Sequence, residues 1–333
     1  MSSTQESQDA AYASPVDYDA YGTYSVKDAK FGEDGFERPL DLYPFRGRLS
    51  SDGSTEYPAE PGRYHLYLAW SCPWAQRAAI VRKLAGLSGL VSASYVHGER
   101  DGRGWAFRED TGPDPVNGFT LLRQAYDATH PDYPGHVSVP TLWDKQTHKI
   151  VSNFFPDLTI DLATQFEGLA EDGTDLYPPR LRADIDTLNE TLYNDINNAV
   201  YVIGNEPDQG TYDNLVHRLF QTLDTLERRL AGNRFLFGNR ITESDVRLWV
   251  TLARFDTVYY GLFKVNLRRL VDYPHLWAYA RDLYQRPAFK ETTDFVAIKR
   301  GYYTGFGKLN PYRIVPAGPV LDWDAPAGRD HLS

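Results

Sequence analysis

Sulfur is almost absent from this chain: in 333 residues there is one cysteine, Cys72, and one methionine, Met1. A single thiol excludes an internal disulfide, a structural zinc site built on cysteines and a two-thiol redox motif, since the position three after Cys72 is Ala75. Long apolar runs are also missing. The longest apolar-leaning stretch, Tyr64 to Trp70, is far short of the ~20 residues of a membrane helix, and MSSTQESQDAAYAS has neither the basic start nor the apolar centre of a secretory leader. Basic excess is absent as well. With 45 acidic against 35 basic residues the formal charge is −10, so no nucleic acid and no membrane is expected as a partner, and a cytoplasmic location is expected. The 8 histidines show no paired ligand spacing, and Gly102-Arg103-Gly104 lacks the third glycine of a dinucleotide fingerprint. No metal and no tightly bound cofactor is expected.

What is present is the material of a folded protein: 42% hydrophobic and 14% aromatic residues, and a length that suits two domains. Residues 1–60 are rich in Ser, Asp, Tyr, Gly and Pro without a period and read as an N-terminal arm. Residues 61–170 alternate strand and helix signals. RYHLYLAW reads as a buried strand, AQRAAIVRKLAGL as a helix with Pro73 in its first turn, VSASYVH as a strand and FTLLRQAYDATH as a helix; HVSVPTLWD and HKIVS read as paired strands. Beyond a Gly/Asp/Pro-rich linker the strand pattern stops. Residues 178–310 read as an all-helical domain, with a stripe of Leu215, Leu219, Leu223, Leu226 and Leu230, a cap expected at Gly232, and a capping box from Thr242 to Asp245. Residues 311–333, with Pro311, Pro316, Pro319 and Pro326, form an irregular tail.

A lone cysteine is most often a small buried hydrophobe. Cys72, however, stands where a buried strand gives way to a helix, and unpaired N–H groups at a helix start favour a thiolate. Because no second cysteine exists to resolve it, any redox turnover at Cys72 must pass through a mixed disulfide with an external small thiol. Val139-Pro140 precedes a strand, where proline belongs at a bulge, an edge or a cis bend. Strand, Cys-Pro, helix, strand, helix, Val-Pro strand, hairpin and helix follow the thioredoxin layout, in which a cis-proline turn faces the active cysteine.

In their order and separations, GRYHLYLAWSCPWAQRAAIVRKLAGL, GWAF at Gly104 to Phe107, VPTLWDKQTHKIVSN, NNAVY at Asn197 to Tyr201, DVRLWVTLARFDTVYYGLFKVNLRRLVDYPHLW and DFVAIKRGYY, with the later GPV, form a distinctive set. Together they resemble the glutathionyl-hydroquinone reductases, the Xi class of glutathione transferases, from about Phe45 to Pro319. The resemblance implies an α/β plus all-α protein, with a thioredoxin-like N-terminal domain and an all-helical glutathione-transferase-type C-terminal domain, assembled as a homodimer. It implies that a cysteine attacks the sulfur of an S-conjugated hydroquinone, releases the hydroquinone and is regenerated by a second thiol. By position Cys72 resembles the nucleophile. Tyr201, Tyr259 and Tyr302 resemble tyrosines that line the hydroquinone pocket, with Tyr260 and Tyr303 as adjacent alternatives among 23 tyrosines. Trp74, Trp105, Val139 and Pro140 take thiol-binding positions.

The family pattern breaks at one place. Where glutathione-using members carry an Asn-Glu-Ser-type segment that holds the γ-glutamyl end of the thiol, this chain reads Asn153-Phe154-Phe155. Two apolar rings neither accept from an ammonium group nor donate to a carboxylate. Phe154 and Phe155 therefore join the thiol-binding set as a departure, and the co-substrate is expected to be glutathione or mycothiol, with mycothiol favoured because it lacks the γ-glutamyl group. Two other readings stand beside the reductase: a conjugating transferase, which would ordinarily activate the thiol with a Ser or Tyr hydroxyl, and a non-catalytic binding protein on the same fold.

Overall fold

The computed structural model describes residues 11–24, 42–170 and 172–332. Four strands, β1 (Tyr64–Ala69), β2 (Ser92–Val96), β3 (Thr141–Asp144) and β4 (Lys149–Ser152), form a sheet in the order β2-β1-β3-β4. β1 pairs in parallel with β2 and antiparallel with β3, and β3 closes antiparallel on β4. Every residue of β1 is buried, so it is covered on both faces and reads as a continuous apolar run rather than an alternating one.

Helix α1 (Pro73–Leu84) leaves the end of β1 directly, α2 (Arg123–Thr129) packs on β4, and α3 (Phe155–Thr164) packs on α1. Two of these elements are shorter than the sequence pattern suggests. The segment before α2 is held as loop by side chains, with Gln124 Oε1 accepting from the Thr120 and Leu121 amides and Asp114 accepting from the Phe119 amide. The β3 strand starts only after the cis Val139-Pro140 peptide. The later part of the arm is ordered against the sheet edge. Gly47 N donates to Val151 O at 2.9 Å, Asn153 N donates to Phe45 O at 3.0 Å, and Leu49–Ser50 pairs in parallel with Tyr57–Pro58.

The remainder is helical: α4 (Arg182–Leu192), α5 (Ala199–Asn205), α6 (Gln209–Leu230), α7 (Glu243–Arg254), α8 (Pro274–Tyr284) and α9 (Phe295–Gly305). The five leucines of the α6 stripe are all buried, and α7 begins with the Thr242–Asp245 capping box. Gly232 is not the cap. Ala231 ends α6, and Arg329 from the tail donates to Leu230 O at 2.8 Å and Asn233 O at 2.5 Å, so exposed carbonyls there are satisfied without a left-handed glycine.

A buried carboxylate joins the strand-bearing and helical halves. Glu243, at the start of α7, accepts from Thr159 of α3 at 2.8 Å and from Asn189 of α4 at 2.7 Å, and pairs with Arg77 of α1 and with Arg247. Burial pushes this carboxyl up, but the two guanidiniums and the hydrogen bonds outweigh it and hold it below its ordinary value. No described helix is long and apolar enough to cross a membrane, and no cluster of metal-ligating side chains occurs among the described residues.

Candidate active site

Cys72 is the N-cap of α1, with extended backbone at φ −82° and ψ 120°, and its carbonyl accepts the Gln76 amide at 3.0 Å. Pro73 at the first helical position sacrifices no hydrogen bond there and fixes the helical entry angle. The thiol is half-buried and points at Val139 O, 3.4 Å away, on the cis Val139-Pro140 turn. The sequence-level pairing of Cys72 with that turn is therefore a direct contact.

Across from the thiol stand three tyrosines from separate segments. Tyr201 comes from α5, Tyr302 from α9, and Tyr259 from a π-helical turn, Phe255–Tyr259, that continues α7. Their hydroxyls form one cluster: Tyr201 bonds Tyr302, Tyr259 lies 3.0 Å from Tyr302, and Tyr201 lies 3.4 Å from Tyr259. Tyr260 and Tyr303, the adjacent alternatives, are not among these three hydroxyls. Burial is the main cause that raises all three phenols above their ordinary range, and for Tyr201 and Tyr302 the charge of Cys72 raises them further. The cluster is accordingly a set of neutral O–H groups close enough to Cys72 to feel its charge. Phe263 and Phe306 pack around it and keep it apolar.

Trp74 links the two halves of the site. Its ring stacks on Tyr201 at 6.4 Å and on Phe155 at 4.4 Å. Phe155 itself is a core residue: it is 1% exposed and wedged between Trp74 and the edge of Tyr43. The first residue of α3 thus turns inward, against the Trp74 ring that follows Cys72 by two positions. Phe154 lies under the Arg46 guanidinium at 4.3 Å. Trp105 lies under Arg100 at 4.1 Å; the same guanidinium covers Tyr24, whose hydroxyl reaches the Val137 carbonyl two residues before Val139.

Two contributors escaped the sequence pattern. Arg254, the last residue of α7, is fully buried and donates to Ser71 O from Nε at 3.2 Å and from Nη2 at 3.1 Å, beside the nucleophile. A single arginine inside the apolar run VTLARF was the available signal. Gly301, next to Tyr302, lets α9 lie against Ser71, and GY in IKRGYY gives no hint of that contact.

Fold and site together define a two-domain transferase of the glutathione-transferase type with cysteine in place of the usual hydroxyl. Residues 209–282 match the family described as glutathione S-transferase, C-terminal domain. Glutathionyl-hydroquinone reductase YqjG of Escherichia coli is 41% identical over 297 residues, covering 86% of this chain and 90% of that one. Its glutathione-bound structure aligns with a TM-score of 0.82 at 40% identity, over 86% of this chain and 96% of that one. A glutathione transferase from Gordonia bronchialis aligns with a TM-score of 0.83 at 45% identity, over 86% and 90% of the two chains. A Xi-class transferase from Natrialba magadii aligns at 0.84 and 38%, over 87% and 91%. The chain belongs to the glutathionyl-hydroquinone reductase family, the Xi class of glutathione transferases.

Proposed function

We propose that this enzyme removes a low-molecular-weight thiol from S-conjugated hydroquinones through Cys72. The Cys72 thiolate attacks the conjugate's sulfur, the aryl carbon–sulfur bond breaks, and the carbon takes a proton from the tyrosine cluster. The products are the hydroquinone and a mixed disulfide on Cys72. A second thiol then attacks that disulfide, leaving as the free disulfide and returning the thiolate. The two electrons gained at the aryl carbon are those lost by the two thiol sulfurs. The observation that carries this reading is the facing pair of groups: a helix-capping thiol on one side and three neutral, buried phenols on the other. Tyr201, Tyr259 and Tyr302 orient the quinol oxygen and supply the proton, while Val139, Pro140 and Trp105 line the thiol side.

The co-substrate in this reading is mycothiol in preference to glutathione. Support comes from Phe154, which places an aromatic face under Arg46 where a γ-glutamyl ammonium would need a carboxylate. The enzyme works in the cytoplasm as a homodimer. Parallel turnover of matched mycothiol- and glutathione-hydroquinone conjugates, each with its own free thiol, tests the choice. Faster turnover with mycothiol is expected, and faster turnover with glutathione would reverse it.

A further inference from the structure

Arg254 is wholly buried, and every hydrogen-bond partner it has among the described residues is neutral. Besides Ser71 O it reaches Trp70 O at 3.3 Å, Gln76 Oε1 at 2.6 Å and Val250 O at 2.8 Å. Among the described residues no carboxylate pairs with it, whereas Arg77 on α1 and Arg247, earlier on α7 itself, share Glu243. Burying a guanidinium without an anion is costly, and neutral hydrogen bonds alone could be met by a neutral side chain. The bonds converge on the peptide that precedes the nucleophile, and its charge also reaches Tyr259 and Tyr302.

We propose that Arg254 is a positioning residue of the reaction: it pins the Ser71 carbonyl next to Cys72 and holds a fixed positive charge beside the place where the Cys72 thiolate forms. The anion that balances Arg254 is then the catalytic one. In the resting thiol the guanidinium is solvated by carbonyls, and on ionisation Cys72 becomes its counter-charge. Cys72 has other titratable neighbours among the described residues. Tyr201, Tyr259 and Tyr302 face it as neutral phenols, Arg77 on its own helix is paired with Glu243, and Arg300 on α9 is paired with Glu99 at the rim.

This inference rests on Cys72 being the nucleophile, and its test needs neither a quinol nor a physiological thiol. Carbamidomethylation of the full chain by iodoacetamide, followed by intact mass against pH, reads Cys72 alone because no other cysteine exists. Arg254→Gln keeps a donor and removes the charge, whereas Arg254→Lys keeps the charge and loses the fork. For Arg254→Gln the alkylation midpoint is expected to rise by about one pH unit, which is about tenfold less thiolate below it. Arg254→Lys should hold the midpoint near that of the parent even though its melting temperature falls. If Arg254→Gln leaves the midpoint unchanged, Arg254 is only a latch between the halves and the proposal is overturned. A shifted midpoint in a protein that forms no adduct with conjugates would instead retain the role of Arg254 and remove the reductase reading.

Discussion

Gly301 and Ser71 touch backbone to side chain: a Cβ placed on Gly301 would lie 2.5 Å from Ser71 Cβ and 2.9 Å from its hydroxyl. The helix that delivers Tyr302 is thereby seated directly on the residue before Cys72. Gly301→Ala should push α9 outward and withdraw Tyr302 from the cluster. Overpacking of this kind costs about 1–3 kcal/mol, and displacement of a reacting group is expected to lower kcat/KM by about tenfold or more. Steady-state kinetics together with a melting curve check this; full activity in a folded Gly301→Ala variant would show that the close approach does not set the site.

Tyr302 makes the two closer hydroxyl contacts of the cluster, to Tyr201 and to Tyr259. Tyr302→Phe should slow hydroquinone release, and with it formation of the thiol adduct on Cys72, by about 10²–10⁴-fold if it is the proton donor. Because burial raises all three phenols above 10, deprotonation of the cluster should not limit the rate until pH exceeds that value. A pH–rate profile whose descending limb falls well below pH 10 in the parent and moves in Tyr302→Phe would contradict this assignment.

Glu243 ties α1, α3, α4 and α7 together through one buried carboxylate. Its folded-state value lies below its ordinary one, so its contribution is present above about pH 4.3, the unfolded value, and is lost as pH falls through the lower, folded value. Glu243→Gln leaves two buried arginines without their anion and should cost about 3–5 kcal/mol. Urea unfolding of both proteins at pH 7 and at progressively lower pH should show the difference shrinking toward the acid end.

Much of this was legible in the residues, and the reasons are local. Cys72 could be placed at a strand–helix junction because an apolar strand, a Cys-Pro step and a helical stripe are adjacent in sequence. The capping box at Thr242 is likewise spelled within four residues. Tyr201, Tyr259 and Tyr302 were separable from 23 tyrosines only by resemblance, since their meeting point depends on three distant segments. Arg254 and Gly301 escaped because their partners, Ser71 and the carbonyls around it, lie far away in the chain and a side chain's destination across a domain boundary has no periodicity. The packing of Phe155 was hidden for a related reason: a departure from a family motif marks a position, whereas contact with Trp74 and Tyr43 decides where its ring goes.

The most direct test of the central claim uses the fact that there is one cysteine. The full chain is mixed with an S-conjugated hydroquinone in the absence of free thiol, and intact mass and released hydroquinone are measured together, for the parent and for Cys72→Ser. The expected result is one thiol added to Cys72 for each hydroquinone released, and neither event in Cys72→Ser. Release of hydroquinone from an unmodified chain, or turnover by Cys72→Ser, would contradict it.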